Sequence, residues 1–157
     1  MGLDMYLKAQ KYVSSWNHQK DAEAGKIFVD ILNAVGMSMS DVTPDAPSGN
    51  VSFNVGYWRK ANAIHSWFVG ECQGGVDECQ TSEVSREDLV KLKGLCEQAL
   101  ANPDKAEEIL APKGGFFFGS TEIDEWYMAD LKQTIAICDK CLSPKFEGWT
   151  FTYRSSW

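Results

Sequence analysis

The run YWRKANAIHSWF, Tyr57 to Phe68, sets a guanidinium (Arg59), an ammonium (Lys60), a carboxamide (Asn62) and an imidazole (His65) among four aromatic rings. Together such groups can hold a planar anion: the fork of Arg59 bonds paired oxygens, Asn62 orients the ligand and the indole of Trp58 stacks on it. At about 100° per residue, a helix over Tyr57 to Val69 puts Tyr57, Ala61, Ile64 and Phe68 on a core stripe. Trp58, Asn62 and His65 then line one margin, with Arg59 in the next column. A nucleotide suits that margin. The plainer reading is structural: Trp58 packs beneath a neighbouring element, His65 satisfies a backbone carbonyl, and Arg59 and Lys60 pair with local acids.

A second block, GGFFFGSTEIDEWY, delivers Ser120 and Thr121 to a helix N-terminus, where free backbone N–H groups can take an anion. Glu122, Asp124 and Glu125 in the same first turn read equally well as the ordinary complement to the helix dipole. If the two blocks converge, Arg59 or Lys60 can pair with Glu122 or Glu125. The candidate ligand-binding residues are therefore Trp58, Arg59, Asn62, His65, Ser120 and Thr121. An enzyme would use His65 as acid or base, Arg59 as anion clamp and Asn62 as orienting group. No catalytic set beyond that suggestion emerges. Cys138 and Cys141 (CDKC), Cys72, Cys79 and His65 do not have zinc-ligand spacing, and the pattern calls for no metal and no cofactor. There is no Walker loop, GxGxxG or HExxH.

Twenty-two acids against fifteen bases, a formal net charge of −7, set the overall field against nucleic-acid phosphates and anionic lipid. Acidic clusters in DAEAG, GVDE, SREDL and STEIDE are first of all solvated faces. They are also where a basic protein partner would dock, and Asp77, Glu78, Glu122 and Glu125 are the candidates for that contact, including the case in which the chain imitates nucleic acid. The opening MGLDMYLKAQ has no signal-like apolar run and no segment approaches a membrane span, so a cytosolic chain is expected. Five cysteines, an odd number, agree with reduced thiols.

To position these residues, 157 residues with 44% hydrophobic content predict one globular domain over 1–157. Leu3, Met5 and Leu7 alternate with polar neighbours as a first strand. KDAEAGKIFVDILNAVG follows as a helix with Ala24, Ile27, Phe28, Ile31, Leu32 and Val35 inward, stopped at Gly36. Residues 36–50 read as a flexible loop. Val51, Phe53 and Val55 form a second strand running straight into the Tyr57 helix. Ser85 with Asp88 caps a helix buried through Leu89, Leu92, Leu95, Cys96 and Ala99. Phe116 to Phe118 read as a third strand, and Thr121 with Asp124 as the cap of a helix burying Ile123, Tyr127, Leu131, Ile135 and Cys138. Trp149, Phe151 and Tyr153 form the last strand. The expected fold class is α+β: a mostly antiparallel sheet of about four strands, terminal strands inside, with helices packed on one face. The other face would present Asp4, Tyr6, Asn54, Thr152 and Arg154.

Taken in order, MGLDMYL, YWRKANAIHSWF, FFFGSTEIDEWY and the terminal SSW resemble a family of small phage and prophage proteins, over nearly the whole chain. The resemblance implies origin and carries no reaction, fold or site residues. With it, the expectation is a non-enzymatic binding protein that inhibits a host process, such as defence, by engaging a host protein or sequestering a nucleotide-like ligand. A homo-oligomer with Trp67 or Trp157 at the subunit contact is a further expectation.

Overall fold

The computed structural model describes residues 2–16 and 22–157, so His18 and Asp21, the first acid of DAEAG, lie outside the described residues. The fold is α+β. Four antiparallel strands, β1 (Asp4–Ser14), β2 (Ser48–Arg59), β3 (Ser82–Val84) and β4 (Thr150–Ser156), stand in the order β2-β1-β4-β3. The two terminal strands are thus the inner pair, as expected. By internal packing the chain forms two compact units, Met1–Ala9 with Phe53–Trp157, and Gln10–Ser52.

In the larger unit the period-two pattern of β1 buries Met5, Leu7 and Ala9 completely, and β4 likewise buries Phe151 and Tyr153. Against that face lie α2 (Asn62–Cys72), α3 (Arg86–Ala101), the single turn α4 (Ala106–Ile109) and α5 (Glu125–Leu142). α3 begins with the expected capping box: Ser85 accepts from the Asp88 N–H, and the Asp88 carboxylate accepts from the Ser85 N–H at 2.8 Å. Its inward side chains are Leu89, Leu92, Cys96 and Ala99, all at 0% exposure. α5 comes close to the sheet where β2 carries a glycine, since a Cβ on Gly56 would sit 2.9 Å from Ile137 Cγ2 and 3.1 Å from Leu7 Cβ. Next to it, buried Trp58 donates its indole N–H to Thr134 Oγ1 at 2.9 Å.

The smaller unit holds the far half of β1, α1 (Ala22–Ala34) and the start of β2, with the Ser15 N–H donating to the Pro47 carbonyl at 2.9 Å. α1 stops as its sequence predicts: Gly36 takes φ +76°, and the Met37 N–H bonds back to the Leu32 carbonyl. Its buried side is narrower than expected, because Phe28 and Leu32 are buried whereas Ile27 and Val35 stand 46% and 67% exposed. Within 36–50, Ser38 and Asp41 form a capping box on a 3-10 turn, Met39–Asp41, and β2 has already begun at Ser48.

Three expectations are corrected. Tyr57, Trp58 and Arg59 continue β2, and the helix starts only at Asn62, after Lys60 turns the chain at φ +61°. Aromatic residues suit a strand as well as a helix, and here pairing with β1 decides, with the Lys60 N–H donating to the Leu3 carbonyl at 2.8 Å. Phe116 to Phe118 are a turn rather than a strand: the Phe118 N–H bonds to the Gly115 carbonyl, and Phe116 is 96% exposed. The remaining strand is instead β3, whose Glu83 and Val84 pair with Thr152 and Phe151. Finally, Asp124 itself caps α5, accepting from the Trp126 and Tyr127 N–H groups, while Thr121 lies upstream.

Candidate ligand cleft and the buried histidine

The blocks around Tyr57–Phe68 and Phe116–Tyr127 converge. The end of β2 and the first turn of α2 (Arg59, Lys60, Asn62) form one wall of a cleft of about 320 Å³, and Gly119, Ser120, Glu122, Trp126 and Asp130 form the other. Asn62, 5% exposed, joins the two walls: its amide donates to the carbonyls of Ser120 (2.7 Å) and Phe118 (3.1 Å), and its oxygen accepts from the Lys113 N–H. Lys60 lays its stem beside Gly119, where a Cβ would stand 3.3 Å from Lys60 Cβ; φ +88° there favours glycine for a second reason.

The cleft is mixed in charge. Arg59 and Lys60 take part in no ion pair among the described residues. The first turn of α2 also opens here, and no side chain caps it at Ala61. Opposite them, burial first and the nearby Asp124 second push the Asp130 carboxyl up to about 6. Trp126, 72% exposed, stands at the rim with its ring available. Neither Trp126 nor Asp130 was among the residues expected at the site. They sit one helical turn apart, each immediately before a residue of the predicted stripe, Tyr127 and Leu131, and that adjacency was the available signal.

The other expected ligand residues do not join them. Trp58 is 1% exposed and bonded to Thr134, because on a strand it faces the core. Thr121 is exposed but outside the cleft lining. His65, 1% exposed, has Nδ1 2.7 Å from Tyr153 Oη and Nε2 2.9 Å from an Asp77 carboxylate oxygen. Neither ring nitrogen is left for a substrate.

The acidic candidates separate as well. Asp77 accepts from His65 and from the Trp157 indole at 3.1 Å, so it ties the 73–81 connection and the final residue to α2. Glu78 and Glu125 are exposed, while Glu122 faces the cleft. Of the two residues expected at a subunit contact, Trp67 is 8% exposed within the core, while Trp157 is 42% exposed with its indole N–H bonded to Asp77. The thiols of Cys72, Cys96 and Cys138 are pushed up to about 12 by burial, and that of Cys141 to about 11, far from the thiolate state a nucleophile needs. No described helix is long and apolar enough to cross a membrane. Comparison with family models, with curated proteins and with solved structures returns no match.

Proposed function

We propose that the chain is a binding protein of phage or prophage origin that holds a small nucleotide-like ligand in the cleft between β2, α2 and α5, and by sequestering it inhibits a host process. The convergence of the two sequence blocks on one cleft carries this reading: two cations without ion partners among the described residues share it with a carboxyl raised to about 6 and an exposed indole. In this reading Arg59, Lys60 and the first turn of α2 take the anionic group. Trp126 stacks on the ring, and Asp130 accepts from its donor edge. The buried, fully bonded His65 and the raised cysteine thiols favour binding over turnover. The resemblance of the four sequence blocks supports the origin.

The test is native mass spectrometry of the protein purified from its host's lysate, beside an Arg59→Ala, Trp126→Ala variant. A small-molecule adduct on the unaltered protein and none on the variant is the expected result. An adduct retained by the variant, or multiple turnover of the released molecule, overturns the reading. A second reading, docking of a host protein, is favoured by Phe116 and Trp126, which are 96% and 72% exposed. A co-purifying protein lost on Phe116→Ser, with no adduct, would select it.

A further inference from the structure

The open face of the sheet carries a groove of about 310 Å³ whose polar side chains include Tyr6 and Lys8 from β1, Asn54 from β2, and Arg154 and Ser156 from β4. Each of these five side chains can donate a hydrogen bond, and among the described residues no carboxylate lines the groove. That composition stands out in a chain with 22 acids and 15 bases. The cleft described above, in contrast, sets three acids against two cations.

The acids of this face lie elsewhere. The Asp4 carboxylate accepts the Tyr57 hydroxyl at 2.5 Å, and Glu83 stands opposite Thr152 on the edge strand. Lys8 and Arg154 therefore share the groove without an ion partner among the described residues. Two cations that line one groove repel each other, and an anion bound between them relieves that repulsion. Tyr6, which lines the groove, packs on Tyr57 with ring centroids 5.4 Å apart.

From this we infer that the sheet groove is a second binding site, which takes the phosphate group of a small phosphorylated molecule between Lys8 and Arg154. Arg154 supplies the planar fork that matches two phosphate oxygens, Lys8 the compact charge, and Tyr6, Asn54 and Ser156 neutral donors. The volume is at the lower end of small-molecule sites and suits a phosphate or diphosphate group better than an apolar body. The inference is independent of the ligand in the cleft, since the two sites share no residue.

The experiment is an amide NMR titration of the full chain with inorganic pyrophosphate, and separately with adenosine diphosphate, at low and at physiological salt. Saturable shifts on β1 and β4 around Tyr6, Lys8 and Arg154, weakened by salt, are expected with either ligand, separate from those that adenosine diphosphate causes at the cleft. In a Lys8→Gln, Arg154→Gln variant the affinity should fall at least about tenfold, the loss of one charge-assisted hydrogen bond. Lys26→Gln, Lys145→Gln, at two exposed lysines outside both the cleft and the groove, should leave it unchanged. Should the double variant fail to fold, Arg154→Lys serves instead, keeping the charge and losing the fork. Tighter binding of the nucleotide assigns the site to nucleotides and equal binding assigns it to the free anion; both support it. No saturable shift on β1 and β4, an undiminished affinity in the groove variant, or pyrophosphate shifts found at Arg59–Ile64 alone would overturn it.

Discussion

At the scale of single residues, environment rather than residue type decides which titratable groups can act. His65 has the chemistry of a general base, but both ring nitrogens are engaged inside the fold, Nε2 by the Asp77 carboxylate and Nδ1 by the hydroxyl of Tyr153, a hydroxyl that burial pushes well up. Asp130, an ordinary carboxylate in the sequence, is the group moved toward neutrality. The sign of its contribution follows from the direction of that shift. A carboxyl raised to about 6 when folded favours the protonated native state, so its stabilisation is complete below about 4 and is lost as the pH rises through 6. Asp130→Asn should therefore melt at a higher temperature than the parent at pH 7, while the two melt together near pH 4. A carboxyl resonance titrating near 6 should vanish in the variant. A parent whose melting temperature does not respond to the mutation at pH 7 would contradict the assignment. Candidate residues were legible in the sequence to the extent that their neighbours were: Arg59, Lys60, Asn62, Ser120 and Glu122 do meet. Trp58 and His65 turned inward because their backbone places them toward the core.

At the scale of elements, the capped helices were readable and the strands were readable only in part. Ser85 with Asp88, and Gly36 after α1, are local chemistry, satisfied within one turn of the chain. The boundary at Tyr57 was not local. A twelve-residue aromatic and cationic run fits both periods, and the choice fell to pairing with β1. β3 illustrates the extreme case: three residues become a strand because Val84 and Glu83 find Phe151 and Thr152. Gly56 shows what the close packing of α5 on β2 demands. Its replacement by alanine drives a methyl group to 2.9 Å from Ile137, and the expected loss is about 1–3 kcal/mol. Gly94, in the middle of α3 with open space around it, is the matched control, and Gly94→Ala should gain about 0.5–1 kcal/mol. Urea unfolding with unchanged slope measures both. Equal effects at the two positions would show that the contact at Gly56 is not what limits it.

At the scale of the whole molecule, the burial that holds the fold is unevenly distributed. The larger unit contains a continuous core from Leu3 to Tyr153, whereas among the described residues of Gln10–Ser52 the buried apolar side chains are Phe28, Leu32 and Pro47. Local opening costs less where fewer apolar contacts are broken, so the amides of α1 should exchange with solvent at least about tenfold faster than those of the middle turns of α3 and α5. Mass-spectrometric hydrogen exchange on peptic fragments checks this, and uniform protection across the three helices would refute it. By itself, the sequence determined the α+β class, the inner position of the terminal strands, the Ser85 cap of α3, the Gly36 stop of α1 and the inward residues Leu89, Leu92, Cys96 and Ala99 of α3, because these rest on periodicity and on hydrogen bonds within a turn. Tertiary structure alone decided that Trp58 and His65 are interior, that Asp130 and Trp126 face Arg59 and Lys60, and that Lys8 and Arg154 share a groove without a carboxylate. Those facts depend on contacts between residues far apart in the chain, and no local pattern encodes the distance between them.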